Sequence, residues 1–460
     1  MSSQIRNLKQ YLSALPERPE SLPFPLLEEG IDDFLLRLTK KYPGCFLLES
    51  HPGYPDNYRY SLFGFSPFSQ FRGYPGRLVL NGQDHFTKNP YDTLKELFPS
   101  KKTSKKYLGG LVGFLSYDAT SLFEPVTNIK PREGYPLFSF GLYLDGVVLD
   151  HLTGESEYFY YSENRFEELQ TLLLEKDGSE EKTKVSSLGY SKTKEEYSNM
   201  FRKTREEILA GNTFQCQIGF EERFKIEGSL VSIYRALKRK NPSPYLFFYK
   251  DRELETFGSS PELLFSLRDR IVETYPLAGT YPRGKTFSED KILTKKLLND
   301  EKELAEHSML IDLHRNDLSR VCETGTVRLK KEFEILKFTH VQHITSEVVG
   351  IMKKTENSFS GLVSVFPAGT LTGAPKVESI KWIQKTEGDE RGPYGGVFGY
   401  HSLDGGSQFC ILIRSLFRTG DSAYSRAASG IVLDSAEDLE YQEILNKLKG
   451  IRTSLEDFCI

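Results

Sequence analysis

The chain has 460 residues, 38% of them hydrophobic and 27% charged, and 60 basic against 64 acidic residues give a net charge of −4. That length suits one large body or two or three domains. Near-balanced charge without long single-sign blocks excludes a nucleic-acid footprint and a polybasic membrane patch.

No run approaches the roughly 18 apolar residues of a membrane span, and the opening MSSQIRNLKQYLSALPERPE has no apolar core of the kind an export signal carries. Five scattered cysteines, none in a C-x-x-C pair, argue against a disulfide framework or a cysteine-rich zinc site. A soluble cytoplasmic protein is expected.

In chain order, residues up to about 25 predict a short helix and an extended approach. Ile31, Phe34, Leu35 and Leu38 have helical spacing over 28–41, and Tyr42-Pro43-Gly44 ends it. CFLLES and RYSLFGFSP follow, with strands around Leu78, over 107–117 and over 137–150, and alternation up to Tyr161 predicts a largely antiparallel meander. Phe166 to Leu174 reads as a helix, and the polar EKDGSEEKTKVSSLG as a linker. Beyond it come a Thr193-capped helix to Leu209, strands over 213–224, 245–257 and 271–275, and a long acidic helix. A Pro/Gly turn over 367–375 then leads into a helix over 377–385, followed by a strand over 407–417 and a closing helix. Strands interleaved irregularly with helices predict an α+β fold.

The acidic helix, DEKELAEHSMLIDLHRND, places Leu297, Leu304, Ile311 and Leu318 seven apart on one stripe. Glu303, Glu306 and His307 share another face. Glu440 and Glu443 repeat the E-x-x-E spacing in the closing helix. Four carboxylates aimed into one pocket need a compensating cation, and all-oxygen ligation favours Mg2+ or Mn2+; each pair taken alone is equally the solvated face of a helix.

Three Gly-rich turns, 276–284, 366–376 and 426–435, match no nucleotide-binding loop. They are plain turns or backbone cradles for an anion. Arg414 lies within the apolar run ILIRSLF, which calls for a carboxylate partner from the protein or from a ligand. His340 and His343 with the glutamates do not make a di-iron site, because neither acidic helix carries Glu-x-x-His. There is no G-x-S-x-G elbow. The residues point to a Mg2+-dependent enzyme acting on a small anionic substrate.

From about Tyr190 to Leu455 the chain resembles the chorismate-utilising enzymes, most closely their anthranilate-synthase branch. The resemblance rests on GNTFQCQ, NPSPYLFFY, GSSPELL, YPLAGTYPRG, DEKELAEHSMLIDLHRNDLSRV, HVQHITSEVVG, FPAGTLTGAPK, RGPYGGVFGY, ILIRSLF and GIVLDSAEDLEYQEILNK, in that order. It implies two large antiparallel sheets packed as a sandwich, helices outside and the active site in a cleft. A regulatory region over 1–175, a linker over 176–190 and a catalytic region over 191–460 are implied too.

By that resemblance Glu306 and Glu443, with Glu303 and Glu440 beside them, would hold Mg2+. Gly279, Thr280, Tyr394, Arg414 and the N–H groups around Ser429 and Gly430 would bind chorismate. Glu262 would protonate the departing hydroxyl, and His343 would assist loss of pyruvate. Gln215 stands where water-adding relatives carry a lysine base, and Ala278 where aminodeoxychorismate synthases carry a nucleophilic lysine, which leaves direct attack of ammonia at C2.

A separate glutamine amidotransferase subunit would supply that ammonia, and tryptophan would inhibit from a pocket at Leu48, Glu49, Ser50, Pro244, Tyr245 and Leu246. Aminodeoxychorismate synthase component I and a non-catalytic chorismate- or tryptophan-binding regulator are the alternatives. Departures from the family pattern are Leu246 for Met, Ala428 for the first Gly of G-A-G, Tyr281 for Arg and Gln342 for Met.

Overall fold

A computed structural model describes residues 3–51, 59–98, 107–175, 182–338 and 341–459. Among them the backbone forms two antiparallel sheets of 12 strands each, with helices on the outside. One sheet starts with Glu20–Pro23, Glu155–Tyr160, Asp145–Asp150, Tyr60–Phe65 and Gly44–Glu49. It continues through Tyr245–Asp251, Leu254–Ser260, Ser415–Thr419, Ser422–Ile431, Gln215–Glu227 and Lys184–Tyr190. The other runs from Leu277–Pro282 through Val341–Ile351, Ile271–Thr274, Leu263–Arg268, Ser407–Ile411 and Val397–Ser402. It ends in the early strands Gly110–Leu115, Phe138–Tyr143, Ser69–Tyr74, Arg77–Leu80 and Gln83–Phe86.

The sheets face each other across one apolar core, to which Phe46, Phe247 and Tyr249 contribute from the first and Phe140, Phe398 and Phe409 from the second. Strand alternation sends Cys45, Leu47, Leu246 and Phe248 to the other face of the first sheet, under the helices Ile31–Lys41 and Leu230–Lys240. The α+β sandwich expected from the sequence is the observed architecture. The Phe166–Leu174 helix has the expected bounds, and Lys194–Leu209 starts at a capping box between Thr193 and Glu196.

Four expectations are corrected. Lys184–Tyr190, at the end of the expected linker, is a strand paired with Gln215–Glu227, because its few apolar residues need only an edge position. The expected strand over 407–417 is two strands in different sheets, with Leu412, Ile413 and Arg414 crossing between them. The turns expected over 276–284 and 426–435 are largely strands, Leu277–Pro282 and Ser422–Ile431; small residues there serve close packing, and Gly279 forms a bulge at φ +66°. On the acidic helix, Glu301–Ser319, Leu304 is only half-buried, Leu297 belongs to the preceding helix, and His307 and His314 fill the buried stripe between Leu310, Ile311 and Leu318. His307 therefore leaves the face of Glu303 and Glu306, and its Nε2 lies 2.7 Å from Ser346 Oγ.

The rings of Phe247 and Phe398 stack across the two sheets with centroids 4.5 Å apart. Phe398→Ala is expected to lower stability by about 3–5 kcal/mol, read from the urea midpoint at unchanged m; a loss below about 1 kcal/mol would contradict a core centred on this contact.

Candidate active site

The site is built where two neighbouring chain segments leave one sheet for the other. Leu254–Ser260 lies in the first sheet and Leu263–Arg268 in the second, with Pro261 and Glu262 between them. Alongside, Ser407–Ile411 of the second sheet passes through Leu412, Ile413 and Arg414 into Ser415–Thr419 of the first. The segments stay bonded through the crossing: Ile411 N–H donates to Glu262 O at 3.0 Å and Ser259 N–H to Arg414 O at 3.1 Å. Proline cannot donate to a ladder, and Arg414 takes a left-handed φ of +49°, so regular pairing stops there. The sheets part at this seam and leave a cavity of about 260 Å3.

Glu262, Gly279, Thr280, His343, Tyr394, Arg414, Gly430, Gln215 and all four glutamates of the two E-x-x-E pairs line that cavity. Ser429, expected to act through its backbone N–H, is not among the lining residues; its Oγ lies 3.2 Å from the Tyr197 hydroxyl, and its side chain also bonds Glu440. Its neighbours Ala428 and Gly430 line the cavity. Ala428 has no positive φ and pairs with Gly219, which lacks the side chain that would collide, so alanine is accommodated. His340 lies outside the described residues.

Burial pushes the Glu262 carboxyl up to about 8, against the pull of the Thr370 hydroxyl, Lys447 and Arg414. Thr370 Oγ1 donates to Glu262 Oε1 at 3.0 Å. At neutral pH Glu262 is an acid that holds its proton. His343 is held down to about 4, by burial first and then by the Arg414 guanidinium. Its Nδ1 lies 3.0 Å from Gly279 O and, because a carbonyl only accepts, carries the proton. Nε2 keeps its lone pair, is buried and has no partner among the described residues.

The carboxylates of Glu303, Glu306 and Glu440 are all raised, by burial first, and Glu443 pushes each of them further. Each carboxylate already has a contact. Gln215 Nε2 donates to Glu306 at 2.9 Å, Ser435 Oγ to Glu440 at 2.7 Å and Lys447 Nζ to Glu443 at 2.6 Å. Glu303 takes the Thr280 backbone N–H. A Cβ on Gly279 would come within 3.2 Å of Glu303 Oε2, and the φ of +66° favours glycine there. Among the described residues no three His, Cys, Asp or Glu side chains converge closely enough to hold a metal by themselves. The donor set nevertheless fits a hard dication, which needs only one or two carboxylates plus water and substrate oxygens, and which neighbouring carboxylates, three of them partly buried and Glu443 exposed, favour.

Lys447, Thr370 and Gln217 also line the cavity and were missed from sequence. Lys447 carried a signal, since it stands four residues after Glu443 on the same helix face.

All six expected effector residues border a second cavity, of about 480 Å3, between the sheets. Two of them turn their side chains away from it: Leu246 enters the helix-side core, and Tyr234 and Lys238 donate to Glu49 at 2.8 and 3.0 Å. The two are opposite each other in the strand ladder and so share a face.

A carboxyl whose proton is held more tightly in the folded than in the unfolded chain contributes stability that is lost as pH rises towards 8. Glu262→Gln, with nothing to ionise, is therefore expected to gain stability over the parent chain as pH rises from about 5 to about 9. Urea midpoints across that range check this, and a difference independent of pH contradicts it.

The model of the family described as chorismate binding enzyme matches residues 45–453. Anthranilate synthase component 1 of Leptospira biflexa is 45% identical over 449 residues, 96% of this chain and 97% of that protein. The crystal structure of anthranilate synthase component I from Streptococcus pneumoniae TIGR4 is 33% identical and superposes with a TM-score of 0.77, covering 88% of this chain and 93% of that one. The menaquinone-specific isochorismate synthase of Escherichia coli, at 20% identity, shares the fold with a TM-score of 0.74 over 98% of both chains. Agreement of sequence and fold over nearly the whole length has one meaning: the chain belongs to the family of chorismate binding enzymes.

Proposed function

We propose that this chain is the chorismate-using component of an anthranilate synthase, in the first step of tryptophan biosynthesis. It adds ammonia at C2 of chorismate as the C4 hydroxyl leaves as water, then eliminates pyruvate to give anthranilate. One observation carries the reading: a protonated acid, a guanidinium, a neutral imidazole and paired carboxylates open into one cavity in which position 215 is Gln and position 278 is Ala. Neither position carries the lysine that water-adding relatives or aminodeoxychorismate synthases have there, which favours external ammonia as the nucleophile.

Glu262 donates its proton to the departing oxygen. Arg414 and Tyr394 hold the enolpyruvyl carboxylate, helped by the backbone at Gly430; Gly279 and Thr280 bound the ring. His343 Nε2 accepts the proton lost on aromatisation, its orientation fixed by the Gly279 carbonyl. Enzymes of this family are metal-dependent, and Glu306 and Glu443, flanked by Glu303 and Glu440, would hold Mg2+. When bound it neutralises the ring carboxylate and orients it.

The relatives are named as component 1, which supports a second subunit. We assign that subunit the release of ammonia from glutamine, since no cysteine lines the cavity. The cavity between the sheets suits tryptophan as an inhibitor: Arg59 and Arg268 offer charge to a carboxylate, Glu273 to an ammonium, and Tyr60, Tyr107, Tyr275 and Tyr400 offer ring contacts. All five cysteines are free, in keeping with a reducing cytoplasm. No helix among the described residues is long and apolar enough to cross a membrane.

Purified chain with chorismate, Mg2+ and excess ammonium is expected to release anthranilate, followed by its fluorescence and by chromatography. Turnover should stop on chelation, fall by about 10²–10⁴ in Glu262→Gln and be inhibited by tryptophan. Accumulation of aminodeoxychorismate contradicts the assignment, as does chorismate binding without turnover.

A further inference from the structure

The reaction above leaves unexplained a set of buried charges at the edge of the cavity, of which Arg426 lines it while Arg391 and Glu387 lie behind. Arg391, Glu387 and Arg426 are each no more than 2% exposed. Burying ions is costly, and an apolar replacement is often as stable, so stability alone is a poor reason for them. Their hydrogen bonds run to the elements that line the site.

Arg391 Nη1 donates to the Leu371 carbonyl at 2.7 Å, and Nη2 to the Gln217 carbonyl at 2.9 Å. Nε and Nη2 also hold Glu387, at 2.9 and 2.8 Å. Glu387 in turn accepts the Gly219 N–H at 2.9 Å and pairs with Arg426 at 2.8 Å. The Tyr394 ring centre lies 5.8 Å from the Arg391 guanidinium carbon. From the N-terminal part of the chain, Asp118 fixes the next residue by accepting the Gly392 N–H at 3.1 Å. Three walls of the cavity, at Leu371, Gln217 and Tyr394, thus meet at one guanidinium, which does not itself line it.

The Leu371 contact matters most. Gly369–Leu371 is a single 3₁₀ turn, braced from within by the Thr372 hydroxyl on the Ala368 carbonyl and from outside by Arg391, and it carries Thr370, whose hydroxyl donates to Glu262. We propose that Arg391 is a positioning residue: by holding the Leu371 carbonyl it fixes the turn from which Thr370 orients the acid Glu262. This rests on the assignment of Glu262 as the proton donor. Besides Thr370, the charged groups facing Glu262 are Lys447 of the closing helix and Arg414 of the sheet crossing.

The test compares Arg391→Lys, Thr370→Val and the double variant in the full chain, with kcat and KM for chorismate measured across pH at constant free ammonia. Arg391→Lys keeps a cation beside Glu387 but cannot reach both carbonyls. Each single variant is expected to lose about tenfold or more in kcat with KM changed less than about twofold. In each, the alkaline limb of the profile should move up by about half a pH unit or more, because the lost hydroxyl bond favoured the ionised acid. The double variant should move it no further than either single one.

A limb that shifts in Thr370→Val but not in Arg391→Lys overturns the positioning role, as does an additive double variant. If Arg391→Lys does not fold, Arg391→Gln is measured in its place, and an unmoved limb there has the same force. A limb unmoved in Thr370→Val, with turnover retained in Glu262→Gln, instead removes the acid assignment and the proposal with it.

Discussion

The arrangement depends on two paired strands crossing together from one sheet to the other. Because Ser259–Glu262 and Ile411–Arg414 stay hydrogen-bonded while both change sheets, the sandwich opens at a fixed place and the residues at the crossing are held on both sides. Glu262 and Arg414 are those residues. A group on a free loop would need separate devices to hold its orientation, whereas here the backbone of two sheets supplies it. Pro261 and the left-handed Arg414 interrupt the ladders just enough to turn side chains into the gap.

Around the gap, each wall brings charge that water would otherwise dissipate. The acidic helix and the closing helix bring Glu303, Glu306 and Glu440, whose proton affinity is raised by burial first and also by neighbouring carboxylates, and the crossing brings a buried acid beside two cations. Low local dielectric makes such contacts strong and makes errors of placement expensive. The second layer of ions, centred on Glu387, holds the backbone of these walls together. Its members reach from Asp118 and Arg132 in the early part of the chain to Arg426 in the cavity lining, so the early part of the chain supports the site as well as extending both sheets.

Much of this was legible in the sequence, for identifiable reasons. Helices with strong caps, such as the one starting at Thr193, declare themselves locally. The paired E-x-x-E spacing and the resemblance of the ordered motifs brought the four glutamates, Glu262, His343 and Arg414 to one site. What was hidden is non-local. ILIRSLF reads as one strand because nothing within it records that its partner also changes sheet. His307 and His314 look polar, yet each buries a ring and keeps a hydroxyl partner, Ser346 or Thr274, from another strand. Leu246 and Glu49 sit in the expected segments but turn their side chains from the cavity, by a two-residue alternation whose phase is set by neighbouring strands.

The central claim is that helices far apart in sequence close on one metal and one substrate. Titrating the purified chain with Mn2+ in place of Mg2+, and following free Mn2+ by electron paramagnetic resonance with and without chorismate, tests it most directly. The account predicts a single class of site that tightens when chorismate is present and weakens both in Glu306→Gln and in Glu443→Gln. Binding indifferent to chorismate, or untouched by either substitution, would contradict it.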